Sequence, residues 1–254
     1  MIACRSRAEL ALIHHSCQLV GELLGELAAR VKPGISTLEL DEYAERWILR
    51  AGAKPAFKGY RGYPATLCTS LNNEIVHGIP SRSVLLKEGD ILSIDVGVNR
   101  EGYFGDAATT VPVGAISSDL QRLLDVTAES LRRAIEQVRA GNRVSDVSVA
   151  IQKCVESNGF SVVRDFVGHG IGTALHEDPQ VPNFGRLGTG ARLLEGMVLA
   201  IEPMVNTGGP EVKVLTDEWT AVTADGGCSA HFEHTVAVTA NEPWVLSRFE
   251  RRTA

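Results

Sequence analysis

The chain has no C-x-x-C pair. Its five cysteines, Cys4, Cys17, Cys68, Cys154 and Cys228, are scattered and odd in number. Neither a disulfide framework nor a zinc finger is built that way, so reduced thiols in a cytoplasmic protein are expected. An excess of positive charge is also missing. Lys and Arg number 25 against 31 Asp and Glu, for a formal net charge of −6, which lacks the cationic surface that tracks DNA phosphates. The basic stretch at Arg248, Arg251 and Arg252 reads as a solvated tail. No apolar run approaches the roughly 20 residues that span a bilayer, so no membrane partner is expected. Arg5, Arg7 and Glu9 precede any long apolar stretch, unlike a secretory signal. There is no Ser/Gly/Pro-rich linker, so residues 1–254 read as one domain. A hydrophobic content of 44% with 22% charged residues suits a soluble chain that buries its own core. Nothing demands a multimer, and a monomer is expected.

Hydrophobic spacing sets the expected elements. Leu10, Ile13, Cys17, Val20, Leu24 and Leu27 recur at three- and four-residue steps, predicting an amphipathic helix over about 7–31. Lys32-Pro33-Gly34 ends it. Ser36 with Glu39 forms a capping-box pattern that opens a second helix, to about Gly52. Strand-like runs follow at 66–71, 74–77, 91–98 and 103–113, the last two joined by the hairpin turn Asn99-Arg100-Glu101-Gly102. Two helical patterns, 118–140 and 144–158, precede further strands near 162–166, 197–205, 212–215 and 233–239. The class is α+β.

The chain also echoes itself. LKEGDILSIDVGV at 86–98 resembles LLEGMVLAIEPMV at 193–205, aligning Gly89 with Gly196, Leu92 with Leu199 and Asp95 with Glu202. His77-Gly78-Ile79 resembles His169-Gly170-Ile171, and Phe104-Gly105-Asp106 resembles Phe232-Glu233. Three echoes in one order point to two related halves around a shared centre.

Four carboxylates stand out because their neighbours are apolar. Asp95 lies in ILSIDV and Glu202 in VLAIEPM, while Asp106 and Glu233 sit among small and apolar residues. An isolated ionised carboxylate loses its hydration in such a place. One buried Asp is ordinarily hydrogen-bonded or salt-bridged. Four together would repel one another unless cations intervene, and two divalent ions balance four negative charges. Oxygen ligands with one imidazole suit Mn, Fe, Co or Zn. His169 in VGHGIGTALHEDP and His176 seven residues on are the nearest candidate histidines, with His77 in EIVHGIP. His14 and His15 read as helix-surface residues.

The successive stretches LCTSLNNEIVHGIP, ILSIDVGVNREGYFGDAATT, GHGIGTALHEDPQVPNFG, GMVLAIEPM and SAHFEHTVAVT resemble the type I methionine aminopeptidases over nearly the whole chain. The resemblance implies a pita-bread (creatinase/aminopeptidase-like) fold, two pseudo-symmetric halves around a dinuclear metal centre. It implies removal of the initiator methionine from methionyl peptides and nascent chains, with a small second residue and a transient ribosome contact. Carried across position by position, it gives Asp95 to one ion, His169 and Glu202 to the other, and Asp106 and Glu233 to both. Glu202 becomes the proton shuttle and His176 the oxyanion donor, and His77 either contacts the scissile amide or helps protonate the leaving nitrogen. The methionine pocket falls to Phe57, Tyr60, Tyr63, Cys68, Leu175 and Trp219, although each aromatic is as well explained by core packing. Two positions depart from the family pattern: Leu175 is often aromatic, and His231 is often Gln. The short stretch between Glu202 and Glu233 leaves no room for the helical insertion of type II enzymes. Proline-specific dipeptidases share the metal set but usually add an N-terminal domain. A non-catalytic relative would be expected to have lost ligands that are all present here.

Overall fold

Ser6 and Ser36 open the first two helices in the same way. Each serine side chain accepts from the backbone N–H three residues on, and Glu9 or Glu39 reaches back to the serine N–H. These capping boxes satisfy donors that helix formation leaves unpaired. The computed structural model describes residues 2–248; Arg251 and Arg252 of the basic tail lie outside the described residues. Helix α1 spans Arg7–Ala28 and α2 Thr37–Arg50, followed by β1 (Lys54–Pro55), β2 (Leu67–Leu71), β3 (Glu74–Val76), β4 (Ile91–Arg100) and β5 (Tyr103–Pro112). Then come α3 (Ser118–Ile135) and α4 (Val144–Ser157), with β6 (Ser161–Val162), β7 (Gly168–Gly170) and β8 (Glu177–Val181). The remaining strands are β9 (Val198–Ile201), β10 (Met204–Asn206), β11 (Val212–Val214), β12 (Ala221–Thr223), β13 (Ser229–His231), β14 (His234–Ala237) and β15 (Trp244–Val245).

Each half packs two helices on an antiparallel sheet. Val20, Leu24 and Leu27 of α1 and Leu40 and Ile48 of α2 close over Leu92, Ile94, Val96 and Val98 of β4. Leu123 and Leu131 of α3 and Val147 and Ile151 of α4 meet Leu199, Ile201, Val205 and Val236. Each such side chain contributes about 1.5–3 kcal/mol by leaving water. In the first half β4 lies between β2 and β5; in the second, β9 lies between β7 and β14.

The first echo is an equivalence of backbone. Gly89 and Gly196 both take positive φ, +91° and +88°, in the turns that lead into β4 and β9. Gly89 N–H donates to Val113 O (3.0 Å) and Gly196 N–H to Val238 O (2.9 Å). Leu92 then pairs with Val111, and Leu199 with Val236. The other two echoes are not equivalences. His169 pairs with Ala200, whose counterpart Ser93 faces Ser70, not His77. The same count sets Glu233 against Ala108 and brings His231 to the place of Asp106.

The run at 197–205 is broken. Pro203 lacks an N–H, so the ladder stops at Ile201 and resumes at Met204. The Glu202 carbonyl is met instead by the Asn183 side-chain amide (3.1 Å). The strand expected at 162–166 is only Ser161–Val162, and α3 ends at Ile135 rather than near residue 140. Strands β12, β13 and β15 are too short to show a period, and β8 reads Glu-Asp-Pro-Gln-Val, polar with a proline. His14 is not a free surface residue: its ring packs 4.9 Å from that of Trp244, and Nδ1 lies 3.2 Å from Leu246 O.

Candidate metal and peptide site

Between the two sheets lies a cavity of about 170 Å³ lined by Phe57, Tyr60, Arg61, Tyr63, Cys68, His77, Asp95, Asp106, His169, Leu175, His176, Glu202, Trp219 and Glu233. All thirteen residues singled out from the sequence meet there, together with Arg61. Each carboxylate arrives by a different route. Asp95 projects from the middle of β4, opposite Cys68 on β2 and Ala108 on β5. Asp106 lies on β5, where Thr235 Oγ1 both donates to its carbonyl (2.7 Å) and accepts from its N–H (3.2 Å). Glu202 hangs from the broken ladder. Glu233 precedes β14, and its N–H donates to Ala108 O (2.9 Å).

His169 presents a nitrogen to the carboxylates. Its Nδ1 lies 2.9 Å from Gly170 O, so Nδ1–H donates there and Nε2 keeps its lone pair, the arrangement a ligating imidazole uses. Nε2 stands 3.5 Å from Glu202 Oε1. Ligand atoms of Asp106, His169 and Glu233 all lie within 4.8 Å of one another, and all three residues are buried.

The electrostatics of this group favour a bound cation. Burial raises Asp106, Glu202 and Glu233 well above the usual carboxylate range, and neighbouring carboxylates raise them further. Burial, partly offset by a hydrogen bond with Asp106, pushes Asp95 up to about 7. Asp95 Oδ1, Asp106 Oδ1 and Glu233 Oε1 are buried with no hydrogen-bond partner. Unpaired oxygens on crowded acids fit hard divalent cations. Burial, then the nearby His176, lowers His169 to about 3, leaving it neutral and able to ligate.

The rest of the cavity is a polar rim on an apolar wall. His176 Nδ1 lies 2.8 Å from the Tyr60 hydroxyl, and its ring stands 4.2 Å from that of His169. His77 takes a positive φ of 63° and sets its ring edge-on to Phe166 at 5.3 Å and to Trp219 at 6.2 Å. Burial lowers it to about 4, so it too is neutral. Tyr63, T-shaped against Trp219 at 5.0 Å, gives its hydroxyl to the carbonyls of Leu67 and Gly78. Its aromatic face is left for the cavity.

Sequence reasoning did not single out two neighbours. Arg61, at φ 50°, lines the cavity beside Tyr60. His231, noted only as a departure from pattern, is buried with Nε2 unpartnered and 3.9 Å from Glu202 Oε2. Its place two residues before Glu233, on the same face of an extended run, was the available signal.

The comparisons with known proteins agree with this geometry. The chain matches the model of metallopeptidase family M24 over residues 11–240. It is 53% identical to a methionine aminopeptidase of Clostridium perfringens, covering 97% of this chain and 99% of that protein. It is 52% identical to methionine aminopeptidase 1 of Bacillus subtilis, covering 98% and 100%. The crystal structure of methionine aminopeptidase from Thermotoga maritima superposes with a TM-score of 0.96 at 45% identity, over 98% of this chain and all of that one. The prolidase of Pyrococcus horikoshii shares the fold, with a TM-score of 0.80 at 21% identity, and extends well beyond this chain, which covers 65% of it. The chain therefore belongs to metallopeptidase family M24, among its type I methionine aminopeptidases.

Proposed function

We propose that this enzyme removes the N-terminal methionine of newly made proteins, and that Asp95, Asp106, His169, Glu202 and Glu233 hold two divalent ions for the purpose. The observation that carries the reading is the set of buried, unpaired carboxylate oxygens facing a lone-pair nitrogen of His169. Asp95 would hold one ion, His169 and Glu202 the other, and Asp106 and Glu233 would serve both. Co, Mn, Fe and Zn all suit this set. When bound, such ions supply Lewis acidity toward a peptide carbonyl and make water acidic enough to attack at neutral pH.

The chain's own groups do the rest. Glu202 takes the proton of the attacking water and returns it to the leaving nitrogen. With the Tyr60 hydroxyl donating to Nδ1, His176 carries its proton on Nε2 and donates to the developing oxyanion. Neutral His77 contacts the scissile amide. Phe57, Tyr60, Tyr63, Cys68, Leu175 and Trp219 enclose the methionine side chain in soft apolar contacts suited to a thioether. The substrates are methionyl peptides and nascent chains with a small second residue, met in the cytoplasm with transient ribosome contact by a monomeric, single-domain enzyme. Among the described residues no helix is long and apolar enough to cross a membrane. Hydrolysis of Met-Ala-Ser against a Gly-Pro dipeptide tests the substrate class: methionine release supports it, and preference for Gly-Pro refutes it.

A further inference from the structure

The loop joining β7 to β8 carries Leu175 into the cavity wall and His176 to its rim, yet it has no ladder of its own. Backbone bonds from Phe104 N–H to Gly172 O (2.8 Å) and from Gly172 N–H to Ala174 O (3.2 Å) fix its start, and the Glu177 carboxylate shapes the rest. Its Oε1 accepts from the N–H groups of Thr173 (2.8 Å) and Ala174 (3.0 Å) and from the Thr173 hydroxyl (3.1 Å). The same oxygen accepts from Arg5 Nη2 at 2.6 Å. Arg5 lies in the segment ahead of α1, far away in sequence. Its backbone N–H donates to Gly196 O at 2.7 Å, which fixes the segment to the turn leading into β9. The pair is largely shielded, with side-chain exposures of 10% and 18%. The guanidinium lies close over the loop backbone: a Cβ at Gly172 would come within 2.5 Å of Nη2, so a larger residue there would push the arginine aside.

We infer that Arg5 is a positioning residue, which acts through Glu177 to hold the 172–176 loop and thereby sets His176 and Leu175 against the substrate. The inference rests on the reading of those two residues given above. A carboxylate with three donors from its own loop would otherwise be free to swing with that loop. The charge-assisted bond from a residue anchored on β9's turn ties it to the body that carries Glu202. Both short contacts to Glu177 come from the one Nη2 atom, so a lysine ammonium of similar reach can replace them.

The test compares the wild type, Arg5→Ala, Arg5→Lys, Glu177→Gln and the double variant Arg5→Ala/Glu177→Gln. Two readouts are taken in Mn(II): kcat and KM on Met-Ala-Ser, and hydrogen exchange at the Thr173 and Ala174 amides. Arg5→Ala should lower kcat roughly tenfold to a hundredfold, with KM changed less than about threefold. Exchange at the two amides should quicken, and Arg5→Lys should recover most of both. Because the two residues act in series, the double variant should be no slower than Glu177→Gln alone. Unchanged kcat and exchange in Arg5→Ala, or a loss that adds in full to that of Glu177→Gln, would overturn the inference. Should Arg5→Ala not fold, Glu177→Gln still decides it, since wild-type exchange at the two amides in that variant refutes the brace. A wild type that releases no methionine would overturn the functional reading instead, with the exchange arm still judging the brace.

Discussion

Asp95 and Glu202 stand at the same step of two related strand entries. Asp95 follows Leu92 of β4 by three residues and Glu202 follows Leu199 of β9 by three, with Leu92 and Leu199 each paired to a buried valine. The first ladder runs on past Asp95, whereas the second breaks at Glu202-Pro203. One half thus offers a carboxylate fixed in mid-strand, and the other a carboxylate on a free joint. That difference suits an anchor on one side and a proton carrier on the other.

Metal-free protein should lose stability as the pH rises above neutrality. The four carboxylates have folded values raised above the unfolded ones, about 4, so their contribution is present at low pH and is lost as pH climbs through the raised values. The histidines run the other way. His77, His169, His231 and His234 are lowered, so they add stability as pH rises to their unfolded value, about 6.5. The two effects oppose below that point; above it the carboxylates are joined by the buried thiols of Cys17 and Cys68, which burial also raises and which act in the same direction. Melting temperatures in chelator from pH 7 to 9 should fall, and added Mn(II) should flatten the slope. A flat metal-free profile would contradict this.

Asp106→Asn should separate metal binding from folding. It removes one of four mutually repelling acids, so the metal-free melting temperature should hold or rise at pH 7.5. The stabilisation that a divalent ion gives by binding only the folded state should largely vanish. An equal metal-induced shift in variant and wild type would remove Asp106 from the ligand set.

His176→Ala should lower kcat by about 10²–10³ with a smaller change in KM, as loss of a transition-state donor does. Tyr60→Phe takes away only the partner that sets the imidazole tautomer and should cost less. If KM alone rises in His176→Ala, the side chain binds substrate without stabilising the transition state.

The residues that carry chemistry were legible in the sequence because they violate its local rules. Asp95 and Glu202 interrupt apolar strands, and that conflict between environment and charge pointed to the centre before any coordinates. Helices α1 and α2 were legible for the opposite reason, since capping and period agree. What could not be read was contact between distant segments. His231 offers only its spacing from Glu233 until the fold sets it 3.9 Å from Glu202 Oε2, and Arg5 offers nothing until its segment is seen lying under the Gly172 loop. The echoes show the same limit. The shared Glu-Gly turn reported a true equivalence, whereas the two histidine-glycine stretches share residues without sharing a place in the ladder.

Leu175→Ala should loosen the choice of first residue. Leu175 is 2% exposed and forms cavity wall, so its truncation should lower kcat/KM on Met-Ala-Ser roughly tenfold or more and reduce the preference for Met over Phe in that position. It should also destabilise the fold by about 2–5 kcal/mol, so assays belong well below the melting range. An unchanged Met-to-Phe ratio would take Leu175 out of the specificity wall.

The central claim is that these five ligands make a metal-dependent methionine-releasing site. The most direct measurement is methionine release from Met-Ala-Ser by metal-free protein titrated anaerobically with Mn(II), Fe(II), Co(II) or Zn(II), with bound metal counted alongside. The account predicts no release without metal, release that grows as ions bind up to two per chain, and none from Glu202→Gln under the same loading. Release in chelator, or no release with any of the four metals, would contradict it.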